Sequence, residues 1–340
     1  MNLSSLFRIT ALACATLCVA ACPNGATNND GGTLNDVDGG TNGPQDITDV
    51  IFTKSSASCA DYAGSYSSTV TDINRDLVFN GEFSISTNAS TCDFSSNGIP
   101  NHDFNDGNSS FPNPVGAVEQ DFSVPLNPSD STEPTPVSLG FKSAILLNGG
   151  IIDVLPAACW GVGNEPLGQE KIGCFTDGYA WRYDPMFPAN DFGTDSHNAH
   201  SQPPDGKYHY HGNPRALFDE MDPAVASPVI GFAPDGYPLF GSFIDDNGTV
   251  REVQSSYELR GGMRSLDDLE GGLQEGAAPG GNYDGTFRDD FVYTEDLGDL
   301  DACNGMMVNG QYGYYITNAF PWVPNCFMGT PDSSMTGPNR

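Results

Sequence analysis

From residue 51 onward the chain consists of short apolar runs interrupted by Gly, Pro, Asn and Asp. The apolar positions lack the three- and four-residue spacing of long helices, and several segments alternate or are rich in β-branched and aromatic residues. Turn signals such as PDG at 234–236 and DDNG at 245–248 separate these segments. The predicted strands cover 77–85, 137–147, 229–243, 249–259, 291–294 and 312–317, and short helices are predicted at 215–221 and 265–269.

This pattern predicts a mainly β fold, a sandwich or barrel-like domain of short antiparallel strands with long loops and few short helices. We expect a single β-rich domain over residues 51–330, in which residues 51–94 could form a small N-terminal subregion. A disordered tail is predicted at 331–340. Residues 22–50 contain mainly Asn, Asp, Gly and Thr, a composition typical of a flexible acidic linker.

The first 21 residues have the pattern of a secretory signal peptide, with Arg8 before an apolar run that ends in small residues. The run ends in Val19-Ala20-Ala21-Cys22, which resembles a bacterial lipobox, so Cys22 is the predicted lipidation site and the membrane anchor. The alternative is ordinary signal cleavage near Ala21. Pro23 follows the cysteine, and by resemblance to Gram-negative lipoproteins this favours an outer membrane lipoprotein facing the periplasm or the cell exterior.

The charge and the cysteines narrow the function further. With 13 basic and 44 acidic side chains the net charge is −31, which would repel nucleic acid. Six cysteines remain after the signal peptide and Cys22, and an even number in an oxidising compartment predicts three disulfides. Because loop closure favours near neighbours, the predicted pairs are Cys59–Cys92, Cys159–Cys174 and Cys303–Cys326.

The five histidines are the candidate metal ligands, and four of them fall within 15 residues. If 208–211 form a strand, His209 and His211 share one face, while Tyr208 and Tyr210 pack into the core on the other. The turn at Asp205-Gly206 can fold the preceding histidines back towards that face. The full candidate set is His102, His197, His200, His209 and His211.

Imidazoles with nearby tyrosine and methionine suit copper first, then zinc or iron. The alternative is a hydrogen-bonded structural cluster at a strand end. Acidic residues that could orient imidazoles are Asp205, Asp235, Asp284 and Asp290. For Asp235 and Asp284 the favoured alternative is that each shapes its own turn. No nucleophile elbow, phosphate-binding loop or dinucleotide-binding glycine motif is present in the sequence.

The ordered motifs of the chain resemble the YHYH-domain family. They are SNGIPNH at 96–102, YHYHG at 208–212, IGFAPDGYPLFG at 230–241, SYELRGGMR at 256–264, YDGTF at 283–287 and the stretch from LDACNG to PNCF over 300–327. The resemblance implies an exported or surface-attached domain with a metal site. His102, His200, His209 and His211 lie in matching motifs, and His197 has the weakest support.

An internal echo relates residues 198–211 to residues 304–315. When the two segments are aligned, Tyr208 matches Tyr312, Tyr210 matches Tyr314, and Met306 takes the position of His200. The echo indicates two related strand–turn units, or else a coincidence in a chain rich in Tyr and Gly. If it is real, Met306 or Met307 could approach the histidines and favour copper.

Three functions remain open at this stage. The first is capture or buffering of a transition metal, copper first, at the cell envelope. The second is a metal-dependent hydrolase or oxidase that uses the same histidines. The third is a non-catalytic carbohydrate- or protein-binding surface module, for which exposed aromatic residues, including Trp160, Trp181 and Trp322, would matter more than histidines. Whether a protein or glycan partner exists stays open.

Overall fold

The computed structural model describes residues 43–107, 111, 113–162, 173–221, 223–265 and 278–336. Strand makes up 37% of the structure and helix 5%, which confirms the mainly β prediction. No described helix is long and apolar enough to cross a membrane. Cys22 lies outside the described residues, so lipidation stays a prediction.

Nineteen strands are formed by the described residues, numbered here in chain order. They are β1 Gln45–Asp46, β2 Gly64–Asp72, β3 Leu77–Thr87, β4 Thr91–Ser96, β5 Gln120–Pro125, β6 Asp130–Pro136, β7 Ala144–Leu146, β8 Ile151–Ile152, β9 Ala199–Gln202, β10 Lys207–Tyr210, β11 Val229–Phe232, β12 Pro238–Phe240, β13 Phe243–Asp246, β14 Thr249–Glu252, β15 Tyr257–Leu259, β16 Phe291–Tyr293, β17 Gly305–Val308, β18 Gln311–Tyr315 and β19 Cys326–Gly329. Short 3-10 helices lie at Cys59–Tyr62, Pro188–Asn190, Arg288–Asp290 and Ser333–Met335.

Two sheets form most of the molecule. The first has five strands in the order β1-β2-β3-β4-β5, and the second has eight in the order β17-β18-β12-β11-β7-β8-β10-β9. One hydrophobic core is built from both sheets, with Phe83 and Phe94 of the first and Phe232 of the second. The Phe94 and Phe232 rings lie 6.2 Å apart between centroids. Several sheets are present and none is closed into a barrel.

Three two-stranded sheets complete the described fold: β13 with β14, β15 with β16, and β19 with β6. All three predicted disulfides are confirmed, Cys59–Cys92, Cys159–Cys174 and Cys303–Cys326. Ile47, within the segment 22–50 predicted as a linker, and Met335, within the segment 331–340 predicted as a tail, are both buried.

Two expectations about local structure need correction. The predicted strands are antiparallel, but three pairs in the structure are parallel, namely β1 with β2, β8 with β10 and β12 with β18. Short apolar runs carry no information about such pairings. Residues 215–221 form turns instead of a helix, since Arg215 has a φ of 45°, outside the helical region. The predicted helix at 265–269 lies, beyond Ser265, outside the described residues.

The eight-stranded sheet consists of two halves with the same pairing pattern. In one half β7 and β8 are antiparallel, β8 runs parallel to β10, and β10 is antiparallel to β9. In the other, β11 and β12 are antiparallel, β12 runs parallel to β18, and β18 is antiparallel to β17. The halves join where β7 pairs with β11. The sequence echo is therefore confirmed as part of a larger structural repeat.

Equivalent polar contacts shape both halves. The Tyr208 hydroxyl donates to Asp195 Oδ2 at 2.8 Å, and the Tyr312 hydroxyl donates to Asp301 Oδ2 at 2.8 Å. The loop residue between carboxylate and strand has a positive φ in both cases, 59° at Asn198 and 64° at Asn304. The carboxylates thus tie each hairpin to the loop that leads into it. This framework does not depend on the histidines, since only one half contains them.

Candidate metal centre

Strand β10 separates its tyrosines from its histidines. Tyr208 and Tyr210 are fully buried in the shared core. Because successive side chains of a strand point to opposite faces, His209 lies on the other face together with Lys207, and His211 follows directly after the strand. The predicted alternation is therefore confirmed for the YHYH segment. Gly206 closes the preceding turn with a φ of 81°, as the Asp-Gly turn signal predicts.

The hairpin of β9 and β10 brings a third histidine to this face. His200 and His209 are direct partners across the antiparallel pair. The three imidazole rings of His200, His209 and His211 form a nearly equilateral triangle, with centroid separations of 4.8, 4.9 and 4.7 Å. We call this cluster the His triad.

The nitrogens of the His triad converge. Nε2 of His200 and Nε2 of His211 lie 3.1 Å apart, and one ligand atom from each ring lies within 4.8 Å of the others. Three nitrogens around one ion at 2.0–2.1 Å would stand about 3.3–3.6 Å from one another. A bound ion thus needs a modest adjustment of the rings. Among the described residues no second group of this kind exists.

Backbone carbonyls orient two of the imidazoles. Nδ1 of His200 donates to the carbonyl oxygen of Phe192 at 2.6 Å, and Nδ1 of His209 donates to that of Lys207 at 3.2 Å. We assign these tautomers from the acceptors, because a carbonyl oxygen can only accept. Both assignments leave the Nε2 lone pair of the ring available. Carbonyl acceptors of this kind are usual partners of metal-bound histidines.

Burial keeps the His triad uncharged. His209 is 5% exposed, His211 is 3% exposed and His200 is half-buried. Loss of hydration lowers the pKa of all three, and mutual repulsion between the rings lowers the pKa of His209 and His211 further. At neutral pH the three rings therefore carry no charge that would repel a metal ion. Because Nε2 of His200 is an acceptor, Nε2 of His211 donates to it across 3.1 Å, and this proton has to leave Nε2 before an ion can bind there.

Charged groups adjoin the His triad. Lys142 and Asp153 form a buried ion pair at 2.8 Å, and β8 places Asp153 beside the end of β10, where its backbone N–H donates to the carbonyl oxygen of Tyr210. Burial and the charge of Lys142 lower the pKa of Lys207. Sequence reasoning missed all three residues. Only Lys207 carried a signal, since it shares the two-residue alternation of His209.

The remaining two histidines are not brought into the His triad. His102 Nδ1 donates to the carbonyl oxygen of Asp103 at 2.7 Å, and its Nε2 accepts from the Tyr210 hydroxyl at 2.6 Å. It therefore lies on the tyrosine side of β10, with both nitrogens engaged. His197 packs on it, with ring centroids 3.9 Å apart. Burial lowers the pKa of His102 to about 3.

The four acidic candidates do not orient the imidazoles, and Asp235 and Asp284 instead accept from backbone N–H groups two residues later in their own turns. Asp235 accepts from the Tyr314 hydroxyl at 2.6 Å, and Asp290 accepts from Arg264 at 2.7 and 2.8 Å. Asp284 also pairs with Arg264, and Asp205 caps its own turn by accepting from the N–H of Lys207. Carbonyl oxygens of Phe192 and Lys207 orient the rings instead.

The half of the eight-stranded sheet formed by β11, β12, β18 and β17 has other residues at the positions of the His triad. There Met306, Gly313 and Tyr315 stand in the places of His200, His209 and His211. Tyr315 stacks on Phe240 at 5.2 Å and belongs to a small apolar cluster with Ile244 and others from the β13–β14 region. Met306 thus lies at the far end of the sheet, and the expectation that it approaches the histidines is wrong.

The fold and the site together define a β-rich, disulfide-containing domain with a three-histidine cluster that could hold a metal ion. The chain belongs to the YHYH family: the family model described as YHYH protein matches residues 121–329, more than half of the chain. No curated protein and no solved structure matches the chain.

Proposed function

We propose that the protein captures or buffers a transition metal at the cell envelope, with the His triad as its binding site. The observation that carries this proposal is the contrast between the halves of the eight-stranded sheet. One framework holds an apolar cluster in one half and three convergent imidazoles in the other. Because the fold tolerates apolar residues at these positions, function accounts for the histidines better than folding does.

Copper is the first candidate ion, with zinc or iron second. Uncharged imidazoles suit all three metals, and copper(II) has the highest general affinity for nitrogen sites. The thioether of Met306 lies in the other half of the sheet, so only the imidazoles support the preference for copper. When bound, the ion would be held by Nε2 of His200, His209 and His211.

The envelope location is part of the proposal and rests on the sequence. The signal-like segment at 1–21 and the lipobox at Cys22 support export and an anchor in the outer membrane. The three disulfides of the structure are consistent with an oxidising compartment. The net charge of −31 would concentrate cations around the protein and speed their capture.

The test measures bound metal in the purified mature protein. After dialysis against Cu(II) or Zn(II), elemental analysis should give about one ion per chain, and His209→Ala/His211→Ala should give almost none. His197→Ala is the matched control, since it removes an imidazole outside the triad and should leave the stoichiometry unchanged. Less than half an ion per chain in the native protein, unchanged in the double variant, would refute the proposal.

A metal-dependent hydrolase or oxidase is the second candidate, and one observation favours it. His200 is half-buried while the other two ligands are buried, so it is the triad residue with the most solvent contact. Three protein ligands with an open fourth position are typical of catalytic rather than structural metal sites. Turnover of model esters by the loaded protein, absent from His209→Ala, would favour catalysis over storage.

A carbohydrate- or protein-binding module receives less support. Trp181 is buried, and Trp160 and Trp322 are half-buried within aromatic clusters. The indole N–H of Trp322 donates to the buried carboxylate of Asp184. The tryptophans therefore stabilise the interior instead of forming an exposed aromatic row.

A further inference from the structure

The charges around the His triad leave a bound divalent ion without an anionic partner. The three imidazoles contribute no negative charge, since burial keeps them neutral. Asp153 is the carboxylate beside them, and it already pairs with Lys142 at 2.8 Å inside the protein. A divalent ion on neutral ligands would therefore keep its full charge in a poorly hydrated place, which is costly.

Besides the ion itself, Lys207 brings a positive charge to the face of β10 that carries His209. It lies two residues before His209 on the same face of β10, and it is half-buried. No carboxylate in the described part of the chain lies within ion-pair distance of its ammonium group.

We propose that the His triad, with Lys207 on the same face of β10, binds a small oxyanion, a carboxylate or a phosphate group, together with the metal ion. One oxygen of the anion would occupy the open coordination position, and another would accept from the Lys207 ammonium group. A lysine and a metal ion are both common partners of such groups. This inference rests on the proposed metal site and specifies what that site takes as its fourth ligand.

The second half of the sheet supports the assignment. The position equivalent to Lys207 is Gln311, and the position equivalent to Asp153 is Phe240. The half without histidines thus also lacks the lysine and the carboxylate. Histidines, lysine and ion pair occur together, as the parts of one site would.

The experiment uses the mature protein loaded with Cu(II) or Co(II) in a non-coordinating buffer at constant pH, with bound metal measured first. Inorganic phosphate and acetate are titrated separately, and the visible absorption bands of the metal report a change of ligand. The variants are Lys207→Met and, as a matched control away from the triad, Lys54→Met. Phosphate titrated into the metal-free protein shows how much binding needs the ion.

We expect saturable spectral shifts. Lys207→Met should raise the dissociation constant of the anion about tenfold or more, because a charge-assisted contact is lost. Metal stoichiometry should stay the same, and Lys54→Met should behave as the native protein. The two titrations identify the preferred anion. A loaded protein whose spectrum responds to neither anion, or responds equally after Lys207→Met, would overturn the inference while leaving the metal site intact. Absence of bound metal would overturn both proposals.

Discussion

The Tyr210 hydroxyl lies on the face of β10 opposite to the His triad, so its removal should destabilise the fold without disturbing metal binding. The hydroxyl donates to Nε2 of His102 at 2.6 Å and accepts from Nδ2 of Asn148 at 3.0 Å. All three residues are at most 4% exposed. In Tyr210→Phe the imidazole nitrogen loses its donor. Asn148 keeps a bond of 3.2 Å to Asn101 Oδ1.

Tyr210→Phe loses two buried hydrogen bonds, and these set the expected loss of stability. A buried polar atom left without a partner costs about 1–3 kcal/mol, and a weakened amide contact adds less than a full hydrogen bond. We therefore expect Tyr210→Phe to lower the free energy of unfolding by about 2–3 kcal/mol. Metal stoichiometry should not change, because the hydroxyl lies on the face of β10 opposite to the triad.

The assay is urea unfolding of the metal-free protein with its disulfides intact, followed by tryptophan fluorescence. Tyr66→Phe is the control, since its hydroxyl makes one bond, to the carbonyl oxygen of Tyr62, at a half-buried position. It should cost no more than about 1 kcal/mol. Two results would refute this reasoning. One is a smaller loss of unfolding free energy in Tyr210→Phe than in Tyr66→Phe, and the other is a loss of bound metal in Tyr210→Phe.

Three further predictions concern the metal-free fold. Burial lowers the pKa of His102 to about 3 in the folded protein, so between pH 6.5 and 3 only the unfolded chain protonates this imidazole. Acidification from pH 7.5 to 5 should therefore destabilise the native protein by about 2 kcal/mol more than His102→Gln. Equal losses of unfolding free energy in parallel urea titrations would disprove this. Replacing Cys59 and Cys92 by Ser opens a loop with a separation of 33 residues and should lower stability by about 3–4 kcal/mol, measured as the shift in urea midpoint. Asp290→Ala should cost about 3–5 kcal/mol, because it removes the fully buried partner of the Arg264 guanidinium; a thermal midpoint close to the native one would contradict that role.

Local sequence patterns predicted much of the fold and part of the site. The alternation in YHYH placed His209 and His211 on one face and both tyrosines in the core, because a strand has a fixed period of two. The Asp205-Gly206 turn brought His200 back to that face through a short hairpin. Loop closure also identified the disulfide partners, since each pair spans at most 33 residues.

Contacts between distant segments could not be predicted in this way. His102 was grouped with the other histidines by residue type, yet its position depends on how the first sheet meets the tyrosine side of β10. Asp153 reaches the triad through the parallel pairing of β8 with β10, and no periodicity in the sequence signals such a pairing. The sequence echo was visible, but only the sheet order shows that its two copies lie at opposite ends.

Comparison of the halves also bears on why the histidines are buried. Three neutral imidazoles in the interior make the fold more sensitive to acid, because the unfolded chain gains protons that the folded chain does not. At the equivalent positions Met306, Gly313 and Tyr315 carry no such cost, and Met306 and Tyr315 contribute to an apolar cluster with Phe240. A fold that can use apolar side chains at these places gains nothing structural from imidazoles. Their convergence beside Lys207 and the Lys142–Asp153 pair is therefore best explained by a ligand that all of them contact or orient.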